Sequence, residues 1–226
     1  MAKDKAKRRV LHTNVIVIGM GRFGSSLALE LMRTGHEVLG VDTDERLVQQ
    51  MAQELTHTVK ADTTEEAVLQ ELGIQEFDAA VVAIGADIEA SILTTSLLLQ
   101  LGVPNVWAKA NSKSHGQILK QLGVQHVIFP EYEMGKRVAH MVSGESLDYV
   151  PIDNDFVMVK AQVPESFNDK TLAELKIRSN YKVTVVAVNK GDGEYEPAFP
   201  ETVLQSGDQI VVAGKVEPLD KFCQVG

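Results

Sequence analysis

Residues 14–18, Asn-Val-Ile-Val-Ile, run directly into Gly19, Gly21 and Gly24 at G-x-G-x-x-G spacing, and an amphipathic helical pattern follows. An apolar run this short and rich in β-branched residues reads as a strand buried on both faces, which implies a parallel sheet covered by helices. In that context Gly19 permits a tight turn. Gly21 lets backbone amides approach a diphosphate, and Gly24 lets helix pack closely on strand. The amino terminus of the helix adds partial positive charge at the same place.

Asp42 closes the next apolar run 18 residues after Gly24, with Thr43 beside it. A carboxylate there accepts hydrogen bonds from adenosine ribose hydroxyls. It disfavours a 2′-phosphate: two like charges about 4 Å apart repel by roughly 4 kcal/mol at an effective dielectric near 20. NADP is therefore not expected. Asp62, followed by Thr63 and Thr64, ends the third run, either at the adenine rim or as the amino-terminal cap of its helix. Arg22 puts a permanent cation at the lip of the glycine loop, where a fork of donors favours phosphate oxygens over a purely solvated role.

The same alternation continues. Strands are expected over 14–18, 37–41, 56–60, 78–84, 105–110 and 126–129, with helices over 22–33, 44–55, 64–72, 87–101, 112–121 and 131–143. Six strands in this rhythm make a doubly wound Rossmann sheet, expected over residues 13–146. The rhythm then changes to back-to-back strands over 147–152 and 156–163, a short helix over 171–176, and strands over 182–190 and 209–213. Residues 147–226 therefore read as a small α+β domain, while 1–12 read as a basic tail carrying Lys3, Lys5, Lys7, Arg8 and Arg9. That tail suits a mobile solvated segment or contact with anionic lipid or a partner.

The formal charge of −9 over 226 residues repels phosphate backbones, so nucleic acid is not an expected partner. The longest apolar runs fall far short of the roughly 18 residues a membrane span needs. His12, Thr13 and Asn14 interrupt the apolar run after the basic start, so no secretory leader is expected. The single cysteine, Cys223, forms no internal disulfide, and a cytoplasmic location follows as the expectation.

A dehydrogenase needs a proton donor or acceptor and a substrate domain, and neither is apparent. His12, His36, His57, His115, His126 and His140 lack metal spacing and read as surface or helix-end residues. Lys109, at the end of the fifth strand, faces the ligand crevice and is the strongest catalytic candidate, or else neutralises phosphate. An NAD-dependent oxidoreductase stays open as the alternative, and a stand-alone sensor of a soluble partner as a third reading. NADH turnover with carbonyl compounds discriminates the first, and co-purification with a multi-span membrane protein the other.

Five segments together carry a family likeness: 17–24 (Val-Ile-Gly-Met-Gly-Arg-Phe-Gly), 35–42 (Gly-His-Glu-Val-Leu-Gly-Val-Asp), 82–91 (Val-Ala-Ile-Gly-Ala-Asp-Ile-Glu-Ala-Ser), 107–110 (Trp-Ala-Lys-Ala) and 130–135 (Pro-Glu-Tyr-Glu-Met-Gly). The chain resembles the cytosolic RCK-domain regulatory subunits of bacterial Trk/Ktr potassium transport systems over nearly its whole length. Residues 206–214 resemble the closing strand of that family's small carboxyl-terminal domain. The resemblance implies a non-enzymatic regulator: homodimers assemble into an octameric ring beneath a membrane-embedded potassium-translocating subunit, at the inner face of the membrane, and ATP or ADP changes the ring's shape. NAD(H) is a second ligand of the family.

By the same resemblance, nucleotide contacts fall on Gly19, Met20, Gly21, Arg22, Phe23, Gly24, Asp42, Thr43, Asp62, Thr63, Ile84, Gly85, Lys109 and Glu131. Arg22 reaches the terminal phosphates across a dimer interface. Glu131 holds Mg²⁺ or another divalent cation beside the γ-phosphate, a role that suits one carboxylate shared with phosphate oxygens. Read from the residues alone, Glu131 is a first-turn acid stabilised by the helix dipole. Some members also bind cyclic di-AMP, and Ile177, Arg178, Val183, Thr184 and Pro200 match that pocket by position, with Asn180 and Tyr181 near it.

Overall fold

The computed structural model describes residues 13–142, 146–153 and 155–225. The expected basic tail and the connection after the sixth helix lie outside them. By contacts the chain parts into two compact units between Pro130 and Glu131.

In the first unit the order is β1 (Asn14–Ile18), α1 (Arg22–Arg33), β2 (Glu37–Asp42), α2 (Glu45–Met51), β3 (His57–Lys60), α3 (Glu66–Glu71), β4 (Ala79–Val82), α4 (Ile88–Gln100), β5 (Val106–Lys109), α5 (Lys113–Gln121) and β6 (His126–Ile128). Among the described residues its strands form one parallel sheet in the order β3-β2-β1-β4-β5-β6, the doubly wound arrangement expected from the sequence. Val17 lies between Gly40 of β2 and Val81 of β4 in register.

The alternation of β1 explains its apolar character. Ile16 and Ile18 pack into one layer with Leu69, Leu98 and Leu119, whereas Val15 and Val17 enter the opposite layer with Ala28, Val38 and Met51. Every side chain from Val15 to Ile18 is buried, so a polar residue at any of these four positions meets a packed layer. The strand expected over 78–84 stops at Val82. Ala83 still donates its N–H to Ile18 O at 2.7 Å, but Ile84 and Gly85 leave the ladder and form the β4–α4 connection.

The second unit comprises α6 (Pro130–Val142, from Glu131 on), β7 (Asp148–Asp153), β8 (Phe156–Gln162), β9 (Lys170–Thr171), α7 (Leu172–Leu175), α8 (Ile177–Tyr181), β10 (Thr184–Asn189), β11 (Glu196–Pro197), β12 (Val203–Leu204), β13 (Gln209–Lys215) and α9 (Val216–Cys223). Its main sheet is antiparallel, in the order β11-β10-β13-β8-β7, and β9 pairs with β12. The described contacts of α6 explain its grouping with this unit. Arg137 forks onto Asp148 with two 2.8 Å bonds, and His140 stacks on Tyr149 with ring centroids 3.9 Å apart. The change of rhythm in the sequence comes later, at 146–147.

The core of the second unit joins Val157, Val159, Ile210 and Val212 of the sheet to Phe167, Leu219 and Phe222. α7 begins with a reciprocal cap: the Thr171 side chain accepts the Glu174 N–H, and Glu174 accepts the Thr171 N–H. Sequence periodicity alone missed α8 and α9.

Candidate functional site

The chain reverses at Gly19, whose φ of 97° lies in the left-handed region that favours glycine. A β-carbon there would stand 3.0 Å from the backbone of Ala83 and Ile84, so the turn is pressed against the end of β4. Gly24 is constrained more severely, since a β-carbon would fall 1.8 Å from the Gly19 carbonyl oxygen. Nothing in the protein comes within 4 Å of a β-carbon at Gly21. Gly21 is also the first residue of the α1 cap and offers no side-chain cap. By contrast α2, α4 and α5 are capped by Asp44, Asp87 and Ser112. The amino terminus of α1 therefore presents backbone N–H groups beside an open approach, the arrangement that suits an anion.

Asp42 does more than the sequence indicates. Its Oδ2 accepts the Met20 N–H at 2.6 Å and its Oδ1 accepts the Asp44 N–H at 2.8 Å, so the carboxylate fastens the glycine loop to the start of α2. Each oxygen keeps a second lone pair for another donor. Met20 contributes only its backbone to this loop, because its side chain is buried in the α1 layer. Thr43 is exposed between β2 and α2.

Arg22 opens α1 with an exposed side chain, and among the described residues no hydrogen bond or ion pair engages its guanidinium. Phe23 follows, and its ring centroid lies 5.8 Å from Lys109 Nζ. Lys109 is 8% exposed at the end of β5, and its ammonium is 3.3 Å from where a β-carbon on Gly85 would stand. The glycine loop, Phe23, Ile84, Gly85 and Lys109 thus meet at the carboxyl edge of the parallel sheet, where this fold class binds ligands.

Asp62 is not a helix cap, because α3 starts later with Glu65 as its first flanking residue. Its Oδ1 instead accepts from the Thr64 hydroxyl at 2.7 Å and the Thr64 N–H at 3.0 Å, which hold its carboxyl below the ordinary aspartate range. Thr63 turns inward and its hydroxyl pairs with that of Thr94 at 2.9 Å, in the core. Glu131 is exposed in the first turn of α6, in the second unit. Among the described residues no group of three or more His, Cys, Asp or Glu side chains is arranged to hold a metal ion.

In the small unit Ile177 and Val183 are buried in the core, whereas Arg178 and Pro200 are exposed and Thr184 is half-buried. Tyr181 packs edge-on against Phe222 at 5.3 Å, and Asn180 bonds back to Leu175 O at 3.1 Å. Sequence reasoning missed two residues of the first unit. Asn111 donates its side-chain N–H to Gly85 O, and His115, expected at a surface or helix end, is 2% exposed in the first turn of α5. The only local signal was their place just after the fifth strand.

Residues 15–130 match the TrkA-N domain family and residues 157–225 the TrkA-C domain family. The chain is 38% identical over 216 residues to the Ktr system potassium uptake protein A of Bacillus subtilis, covering 95% of this chain and 97% of that protein. Its likeness to the Ktr system potassium uptake protein A of Vibrio alginolyticus is 35% over 207 residues, covering 91% and 93%. Among solved structures, the GsuK RCK domain superimposes with a TM-score of 0.65 at 16% identity, over 96% of this chain and 48% of that one, so this chain spans about half of its length. In the described residues no helix is long and apolar enough to cross a membrane. The chain thus belongs to the TrkA-domain family of Ktr and Trk potassium uptake proteins, and it has the RCK fold.

Proposed function

We propose that this chain is a nucleotide-sensing regulatory subunit, in which ATP or ADP bound at the β1–α1 loop sets the shape of an RCK ring and thereby gates a membrane-embedded potassium-translocating partner. The single observation that carries the reading is the amino terminus of α1, which among the described residues has no side-chain cap and is open above Gly21, with Arg22 next in the chain. Asp42 is the acceptor for the ribose hydroxyls, through the lone pairs that the loop amides leave free. Lys109 and Arg22 supply positive charge for the phosphates. NAD(H) satisfies the same loop and ribose contacts and is the second candidate ligand.

Switching requires that the two ligand states be distinguished, because a ligand shifts an equilibrium only by its differential affinity. The γ-phosphate supplies that difference, through Arg22 and through a divalent cation, Mg²⁺ or a similar ion, shared with Glu131. A homodimer, with Arg22 reaching a nucleotide across its interface, is the unit of an octameric ring docked on the inner face of the membrane. Cyclic di-AMP is a further effector of the small unit, with Arg178, Thr184 and Pro200 as its surface residues and Ile177 and Val183 supporting them from the core. The protein reads nucleotide and does not turn it over, so NADH with carbonyl compounds is expected to give no product.

Calorimetry of the whole chain with ADP and with ATP, each with and without Mg²⁺, tests this reading. Arg22→Ala is expected to spare ADP and to weaken ATP by between about 5-fold and 150-fold, the usual span of allosteric coupling. Equal loss of both nucleotides removes Arg22 from the discriminating role, and a folded chain that binds neither ATP, ADP nor NAD(H) sinks the proposal.

A further inference from the structure

Asn111 stands two residues beyond β5, between Lys109 and the cap of α5, and both its backbone and its side chain are tied. Its Nδ2 donates to the backbone oxygen of Gly85 in the β4–α4 connection, 26 residues earlier in the chain. Its own N–H donates to Nδ1 of His115 at 3.4 Å. His115 is in turn fixed by its helix, with its N–H donating to Ser112 Oγ at 3.1 Å. Because Nδ1 accepts, the hydrogen bond assigns a neutral imidazole protonated at Nε2. Burial favours that uncharged form by pushing the imidazole's titration down.

This tie ends in the corner already described. A β-carbon on Gly85 would stand 3.3 Å from Lys109 Nζ and 4.0 Å from Asn111 Oδ1, so carboxamide, ammonium and loop backbone meet around one glycine. The connection from Ile84 to Asp87 has left the β-ladder, and Gly85 O would otherwise rely on water. The Asn111 turn does not need its own side chain, because the following helix is capped by Ser112. The carboxamide donor is spent on another loop, the one that borders the ammonium.

We propose that Asn111 is a positioning residue of the nucleotide pocket, holding Gly85 so that the β4–α4 backbone and the Lys109 ammonium face the ligand in one arrangement. This assignment rests on the nucleotide reading above. Ordering a loop before binding removes that cost from the binding step.

The test uses the whole chain with ADP as probe, in the wild type, Asn111→Ala and Asn111→Gln. Calorimetry reads affinity, and amide hydrogen exchange without nucleotide reads residues 84–87. Loss of one hydrogen bond of about 1.4 kcal/mol corresponds to tenfold. Asn111→Ala is therefore expected to weaken ADP about tenfold and to speed loop exchange by a similar factor, with exchange in the second unit unchanged. Asn111→Gln keeps the donor and is expected to return within about threefold of wild type. An affinity in Asn111→Ala within twofold of wild type, unchanged exchange at 84–87, or a glutamine variant as weak as alanine overturns the assignment. Wild-type protein that binds no ADP counts instead against the functional reading, and the exchange measurement still decides whether Asn111 holds the loop.

Discussion

The two units differ in how closely backbone approaches backbone and in how aromatic the core is. In the parallel-sheet unit polar side chains fasten backbone across loops: Asp42 holds Met20 and Asp44, Asn111 holds Gly85, and Thr63 pairs with Thr94 beneath the edge. In the antiparallel unit the Thr171–Glu174 pair caps a short helix and Lys190 pairs with buried Asp208 at 2.6 Å across 18 residues, beside a core in which the rings of Phe167, Tyr181 and Phe222 meet. The first unit is held to shape by backbone approach, with its site at the loops so fixed. The second is held by side-chain volume. Substitutions that add volume should therefore be worst in the first, and those that remove it worst in the second.

Gly24→Val probes the first half of that contrast and carries the largest expected effect. Its β-carbon would fall 1.8 Å from Gly19 O, and Gly19 cannot retreat because its own neighbours are the backbone atoms of Ala83 and Ile84. A loss of about 4 kcal/mol or more, or failure of the unit to fold, is expected in denaturant titrations. Gly21→Ala serves as the control. With nothing within 4 Å of its β-carbon, stability should stay within about 0.5 kcal/mol of wild type while ADP affinity falls. Equal stability for the valine variant and wild type would break the contrast.

Phe222→Ala probes the other half. The ring is 2% exposed, 5.3 Å from Tyr181 and 6.0 Å from Phe167 between centroids. Removing it leaves a cavity that the sheet cannot fill, with an expected cost of about 3–5 kcal/mol. The melting of the second unit should drop accordingly, and a change below about 1 kcal/mol would mean that the site collapses around the gap.

The same difference explains what the sequence disclosed. Strands buried on both faces and helices ended by glycine leave a strong periodic signal, so the βα rhythm from residue 14 to 128 reads with errors of a few residues, and the tight turn at Gly19 and the close helix packing at Gly24 are legible too. The short helix expected over 171–176 appears as α7, but the five-residue α8 is too short for a helical period to register, and the two-residue strands β9 and β12 exist only because they pair across 32 residues. Tyr181, placed near a ligand pocket by the family resemblance, also packs its ring against Phe222 at the margin of the core, a contact that no local pattern signals. At the site, residues that act through a glycine pattern were legible, whereas Asn111 and His115 were not, since their roles depend on a loop 26 residues away and on burial by the folded sheet.

The smallest expected effect separates the units by pH. Burial lowers the titration of His115 in the folded chain below the ordinary value near 6.5 of an exposed imidazole. The sign follows from linkage: above about pH 6.5 both states are neutral at this residue and its contribution is fully present. As pH falls below that value the unfolded chain takes up a proton that the folded chain refuses, and stability declines until the folded imidazole titrates in turn. The depressed carboxylates, Asp62 beside Thr64 and Asp148 beside Arg137, lose their contributions only near and below about pH 4. Melting curves between pH 7.5 and about 5 therefore isolate the histidine when wild type is compared with His115→Asn, whose Oδ1 keeps an acceptor for the Asn111 N–H but does not titrate. The first unit's transition should fall with acid in the wild type and flatten in the variant. Parallel curves would mean that the folded protein accommodates the imidazolium, and that the interior at the start of α5 is more polar than its burial implies.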